Sequence, residues 1–320
     1  MDFNIKIKKI YYNIDEFMTS KLTINLSGND INGYIINTLR RIMFDDVLIH
    51  SINTHTIEIE QNTSIYSNDE LKLRLSTLPL YGIKNNLIIL DQEYLKLHKN
   101  DVKYHKDEDV FKLYINTINN TQHDLCVTTN DLIIYKNNDK IDNFYDKNMP
   151  ILLLVLNPKE TLICYMVSKI SMGNINNIFA GCAMSYYKKY NDHNYDFSVE
   201  SKGNYREDEL LIKACETIIQ KLKKIDNNFV NYKKKQNSED TFIFEFINED
   251  YTIGNILNND LVNDPDIIFS SIDKSDQLVN NINLIIKIKN GNVNEKIHNS
   301  INKLINKYDY IKKIIKKIII

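Results

Sequence analysis

An α+β fold built from two copies of one module, the first interrupted by a mostly β insert, is predicted by three patterns in this 320-residue sequence. A strand followed by a capped helix occurs twice, at an offset of 218 residues that aligns Asn37 with Asn255 and Leu39 with Leu257. A strand, a glycine and a long heptad helix also occur twice, with Gly203 and Gly291 in matching places 88 residues apart. The first copy therefore carries about 130 extra residues in its middle, and these are rich in β-type runs.

In chain order, Leu22 to Leu26 alternates apolar and polar residues as a half-buried strand does, and Ser27-Gly28-Asn29-Asp30 supplies turn and N-cap chemistry. Ile31, Ile35, Leu39, Ile42 and Met43 then recur at steps of three and four, one stripe of a helix ending near Asp45-Asp46. Residues 60–190 read as the insert, with β-type runs at Leu87–Leu90, Val110–Ile115, Leu132–Tyr135, Ile151–Leu156 and Leu162–Val167. After a strand at Tyr195–Glu200, the first seam helix places Leu211, Cys215, Ile218, Leu222, Ile225 and Phe229 at heptad steps. Residues 231–240 are polar and unpatterned and read as a linker.

The second copy begins with Phe242, Phe244 and Phe246 in alternation, turns over Asn248 to Thr252, and stripes its helix with Ile253, Ile256, Leu257 and Leu261. A strand at Leu284–Lys289 leads into a second seam of Ile297, Ile301, Leu304, Tyr308, Ile311, Ile315 and Ile318. A seam of this length is buried only against a similar helix, so the two copies are expected to pair inside one chain. The expected modules are 1–59 with 191–230, and 241–320. Leu39, Leu257 and the seam residues form their interface.

Composition narrows the function. The chain is 43% hydrophobic and carries a formal net charge of -2, so it can bury cores and has no general field for nucleic acid. Cys126, Cys164, Cys182 and Cys215 are far apart, which speaks against a zinc site or a disulfide framework. No signal region opens the sequence, and the longest apolar run, Ile151–Leu156, is too short for a bilayer; a soluble intracellular protein is expected. No Gly-rich phosphate loop or nucleophile elbow is present, and no cofactor is expected. Asp45, Asp46, His50, His55, Glu58 and Glu60 have acid-base side chains, but a helix end and the solvent face of a strand explain them more simply. Lys233 to Lys235, Lys312-Lys313 and Lys316-Lys317 read as solvated faces. Only four of the forty basic residues are arginine, so the adjacent Arg40 and Arg41 mark a place where a planar guanidinium matters.

Asn37-Thr38-Leu39-Arg40-Arg41-Ile42-Met43, Ile57 to Ser64 and Leu73-Arg74-Leu75-Ser76-Thr77-Leu78-Pro79-Leu80 resemble the signature of the third subunit of RNA polymerase II and its alpha relatives. Phe197 to Gly203 resembles that family's last strand before its dimerisation helix. Glu249 to Leu257 and Asp264 to Phe269 resemble the small alpha-like partner, the eleventh subunit. Fusion of the two is similar to the polymerases of large cytoplasmic DNA viruses. The resemblance implies a non-catalytic assembly scaffold of a multisubunit DNA-directed RNA polymerase, an intramolecular pseudo-dimer that docks the largest and second-largest subunits and other small subunits. Asn37, Thr38, Arg40, Arg41, Asn62, Thr63, Arg74 and Pro79 are the implied docking residues, with Asn258 and Asn259 replacing the arginine pair in the second copy. No cysteine stands at residues 83–110 where relatives carry a zinc loop, so no metal is expected. Asp276-Gln277-Leu278 replaces the small partner's His-Pro-Leu. DNA would be met only through the complex, no membrane is involved, and the expected location is cytoplasm or virion for a viral protein and nucleus for a cellular one. A nucleic-acid-binding accessory protein of transcription is the alternative, but no basic stripe interleaved with aromatics stands out along the sequence.

Overall fold

A computed structural model describes residues 3–14, 20–81, 92–99, 109–228, 234–238, 241–274 and 281–319. The chain runs β1 (Lys6–Ile14), β2 (Ser20–Ser27), α1 (Gly33–Asp45), β3 (Ile49–Asn62), α2 (Asn68–Ser76), α3 (Gln92–Leu97), β4 (Phe111–Ile118), β5 (Leu125–Thr128), β6 (Ile133–Lys136), β7 (Asp139–Ile141), β8 (Leu152–Leu156) and β9 (Thr161–Ser171). It continues with β10 (Cys182–Asn191), β11 (Asn194–Ser201), α4 (Glu207–Asn228), β12 (Lys234–Ser238), β13 (Thr241–Ile247), α5 (Tyr251–Val262), β14 (Ile267–Asp273), β15 (Asn281–Ile288) and α6 (Val293–Ile319). The expected run at Leu87–Leu90, Phe229 and Asp276-Gln277-Leu278 lie outside the described residues. None of the described helices is long and apolar enough to cross a membrane. The chain divides into two units, residues 1–47, 182–201 and 206–320 in one, and residues 48–181 and 202–205 in the other.

The first unit holds both copies, and their sheets have the same order: β1-β2-β11-β10 in one, β12-β13-β15-β14 in the other, antiparallel throughout. Central strands pair alike. Tyr195, Phe197 and Val199 of β11 oppose Leu26, Ile24 and Leu22 of β2, as Ile282, Leu284 and Ile286 of β15 oppose Phe246, Phe244 and Phe242 of β13. The punctuation repeats too. Gly28 and Asn248 turn at positive φ after the second strand of each copy, and Gly203 and Gly291 both sit at φ 97° before the last helix. The side chains of Asn32 and Asp250 cap α1 and α5, 218 residues apart.

Three expectations about the modules need correction. The first cap is Asn32, past the Ser27–Asp30 turn. Lys234–Ser238, in the expected linker, is a strand paired with β13 and is the counterpart of β1. An edge strand hydrogen-bonds on one side only and needs no apolar alternation, so its polar sequence concealed it. The insert spans 48–181 with 202–205, not 60–190, because β3 pairs with β9 along its length while β10 pairs with β11. The seam helices, as their aligned stripes imply, are 86 residues apart, two fewer than the glycines before them: Leu210 N–H donates to Arg206 O and Lys296 N–H to Asn292 O in their first turns. The two additional residues fall in the longer Gly203-to-Arg206 loop, where Asn204 Nδ2 donates to His50 O at 2.8 Å within the second unit.

That second unit is the mostly β insert. A five-stranded sheet, β3-β9-β4-β6-β7, and the pair β5-β8 enclose a core that includes Ile52, Leu113, Val127, Leu154 and Met166. The run expected at Val110–Ile115 appears as β4, Leu132–Tyr135 as β6, Ile151–Leu156 as β8 and Leu162–Val167 within β9. The helix α2 lay outside the sequence reading. Ser67 and Glu70 form a capping box at its start, each side chain bonding the other's backbone N–H.

Candidate module interface and docking surface

Within the first unit, α4 of copy one packs along α6 of copy two. Leu211, Cys215, Ile218, Leu222 and Ile225 on α4 and Ile297, Ile301, Leu304, Tyr308 and Ile311 on α6 are all buried. Each fully buried Leu or Ile contributes roughly 1.5–3 kcal/mol relative to exposure, so a seam of this size is a major source of cohesion. Burial pushes the Cys215 thiol up to about 12 and raises the Tyr308 phenol as well, so neither ionises near neutral pH. Helices α1 and α5 also pack together, with Leu39 and Leu257 buried.

Two buried lysines cross this interface at matching positions. Lys221 of α4 reaches Asp46 Oδ2 at 3.0 Å and, in copy two, Glu249 Oε2 at 3.4 Å. Lys307 of α6, 86 residues on, reaches back to Asp30 Oδ1 of copy one at 3.7 Å. Burial alone would depress the Lys221 ammonium, but Glu249 and Asp46 outweigh it and its pKa is raised. For Lys307 burial wins over Asp30 and its pKa is lowered. Glu249 is raised by its own burial first, and Asp46 and Asp250 add to this against the pull of Lys221: two carboxylates share one ammonium, which makes the second harder to ionise. Sequence reading missed both lysines. Their equivalent places beside two aligned seams were the available signal.

The implied docking residues divide between interface and surface. Thr38 is buried and its hydroxyl donates to Thr252 O of copy two at 3.4 Å, which places it inside the module interface rather than on a docking face. Arg41 meets Asp45 at 3.7 Å and Asp250 of copy two at 3.3 Å, so its guanidinium also joins the copies. Arg40 remains half-buried on the surface of α1, with Nε and Nη2 each donating to Asn37 Oδ1 at 3.1 Å. Asn258, its counterpart in copy two, accepts from Ser270 Oγ at 2.6 Å.

The remaining implied residues lie in the second unit. Asn62 organises its own turn: its amide nitrogen donates to Tyr66 O and Asn68 Oδ1, while its amide oxygen accepts from Ser64 N–H and Oγ. Thr63 extends the β3–β9 pairing, donating from its N–H to Thr161 O and accepting Thr161 N–H at Oγ1. The Pro79 carbonyl accepts from Tyr145 Oη at 3.0 Å. Arg74 is exposed on α2 and donates to Leu152 O at 3.4 Å, with Leu73 beside it 62% exposed. Asn37 and Arg40 are half-buried, and Thr63 and Arg74 are exposed.

Among the described residues no group of three or more His, Cys, Asp or Glu side chains is placed to hold a metal ion. Glu58 and Glu60 are exposed on β3.

Residues 241–313 match the RNA polymerase Rpb3/Rpb11 dimerisation domain. Over 264 residues, 75% of this chain and 74% of the relative, the sequence is 26% identical to a putative DNA directed RNA polymerase subunit of Acanthamoeba polyphaga mimivirus.

Proposed function

Because this chain is an alpha-like RNA polymerase subunit, with an Rpb3/Rpb11 dimerisation domain in its second copy and a viral polymerase subunit as a relative, we propose that it is the non-catalytic assembly scaffold on which the two largest subunits gather. The observation that carries this reading is the duplication. Two modules of identical strand order pair through a buried helix seam, so a single chain supplies the two similar but unequal faces that two different large partners require. In this reading Asn37 and Arg40 of α1 serve the second-largest subunit, and Asn258 and Asn259 leave the matching face of copy two for the largest. Arg74 and Leu73 in the insert add a second contact. Other small polymerase subunits complete the assembly, and a viral enzyme of this kind would act in host cytoplasm or in the virion. Interface arginines commonly contribute 2 kcal/mol or more when desolvated.

The test is co-expression with both large subunits. Arg40→Ala is expected to leave the melting temperature of the isolated chain within about 2 °C, because the side chain bonds only its own helical turn, yet to reduce recovery of the second-largest subunit severalfold. Normal recovery would remove Arg40 from the docking face. Arg41→Ala, by contrast, should lower the melting temperature through its lost pairing with Asp250.

A further inference from the structure

The outward face of the sheet β1-β2-β11-β10 is ordered in rows that no single strand reveals. Register places Tyr11 opposite Thr23, Thr23 opposite Ser198, and Ser198 opposite Tyr186, so two exposed tyrosines flank two hydroxyls that bond each other at 2.9 Å. The next row runs Lys8, Asn25, Asp196, Lys188, with exposed lysines again at both ends. In these two rows tall side chains on the edge strands and short ones between them make a shallow trough, about 14 Å between outer strands at ordinary sheet spacing, bounded in the adjoining row by Lys21 and Glu200 of the central strands, with the Lys21 ammonium 5.1 Å from the Tyr186 ring centroid.

Its charge is lopsided. Among the described residues both acids on the face are already engaged: Glu200 by Lys21 at 3.2 Å, and Asp196 by Asn25 Nδ2 at 2.8 Å and Tyr190 Oη at 2.7 Å. Lys6, Lys8 and Lys188 have no carboxylate at ion-pair distance among the described residues, so a positive surplus collects here in a chain whose formal net charge is -2. The lysines call for a polyanion and the tyrosines decide which. An acidic polypeptide offers carboxylates but no regular series of flat rings, whereas a nucleotide chain carries one phosphate and one planar base per repeat. Four-stranded sheets with paired aromatics stack about two or three unpaired bases in this manner.

We propose that this face binds single-stranded nucleic acid, with Tyr11 and Tyr186 as stacking platforms, Lys8 and Lys188 on phosphates, and Thr23, Ser198 and Asn25 as the polar floor. It adds a local contact to the scaffold role and does not depend on it. Lysine and tyrosine are interleaved along each edge strand, Lys8-Lys9-Ile10-Tyr11-Tyr12 in β1 and Tyr186-Tyr187-Lys188-Lys189-Tyr190 in β10, and pairing through β2 and β11 brings the two runs onto one face.

Fluorescence anisotropy of the full-length protein with labelled decamers of oligouridylate and oligothymidylate, at about 50 mM salt, tests the proposal, with a deca-glutamate peptide as the rival probe. Saturable binding of either oligonucleotide is expected. Tyr11→Ala with Tyr186→Ala should weaken it about tenfold or more. Lys8→Gln with Lys188→Gln should weaken it and flatten the log–log salt slope by about 1.4, since each single-strand phosphate contact contributes about 0.7. If the tyrosine variant melts early, the lysine variant, altered only at exposed ends, carries the test alone. Absence of oligonucleotide binding, variants that bind like the parent, or preferential binding of deca-glutamate would each overturn the proposal, the last assigning the face to an acidic polypeptide.

Discussion

Lys221 and Lys307 occupy matching positions on the two seam helices, yet their surroundings rank them differently. Lys221 lies between two carboxylates with its pKa raised, whereas Lys307 has one at 3.7 Å and its pKa is lowered by burial. Removing one member of a buried ionic cluster strands its partners, at a cost of roughly 3–5 kcal/mol. Lys221→Met is therefore expected to destabilise the chain by about 3 kcal/mol or more at neutral pH, and Lys307→Met by clearly less, as read by urea unfolding. Equal losses would mean that the cluster around Lys221 contributes nothing beyond packing. Arginine was legible in the sequence because it is scarce here; lysine was not, because it is everywhere and only burial distinguishes these two. Arg40 and Arg41 illustrate the same limit. Rarity marked the pair, but only the structure separates Arg40, tied to its own turn, from Arg41, tied to Asp250.

Helices and central strands were readable because one face of each is buried, and periodicity records that directly: every seam residue from Leu211 to Ile225 and from Ile297 to Ile315 is buried as its heptad position requires. Edge elements escaped. In β1 a register shift between Lys9 and Tyr11 breaks the alternation and leaves Ile10 54% exposed, and β10 is exposed over most of its length. Helix α2 escaped for a different reason. Leu71, Leu73 and Leu75 alternate like a strand, but only Leu71 and Leu75 reach the core, so the Ser67–Glu70 capping box was the better signal. The paired loop glycines allow an internal comparison. Both sit at φ 97°, where any side chain is strained, but a Cβ on Gly291 would find its nearest atom at 3.8 Å, while one on Gly203 would stand 2.8 Å from Tyr81 Cε1 and 3.1 Å from Pro79 Cβ. Gly291→Ala should cost about 1 kcal/mol from conformation alone, and Gly203→Ala measurably more. Thermal unfolding of the two variants side by side checks this, and an equal loss would mean that Tyr81 and Pro79 yield freely.

At the scale of the whole chain, the duplicated succession of central strand, helix, central strand and seam helix was legible because the copies share their turn and cap chemistry at fixed offsets, whereas the four-strand order with its edge strands was not. The insert's strand order was not, since β-runs alone do not specify which strands pair. If β12 belongs to copy two, a protease site introduced within residues 229–233 should yield two fragments that still co-elute after cleavage, held by the α4–α6 seam. Fragments that separate would make the covalent connection essential to pairing. Carrying both modules in one chain changes the order of the first assembly step: pairing becomes unimolecular. An effective concentration in the millimolar range is typical of short connections, so the two modules pair at any dilution and at a fixed one-to-one ratio. In the scaffold role proposed above, a polymerase made from few copies of each component has no orphaned half-platforms to compete for its large subunits.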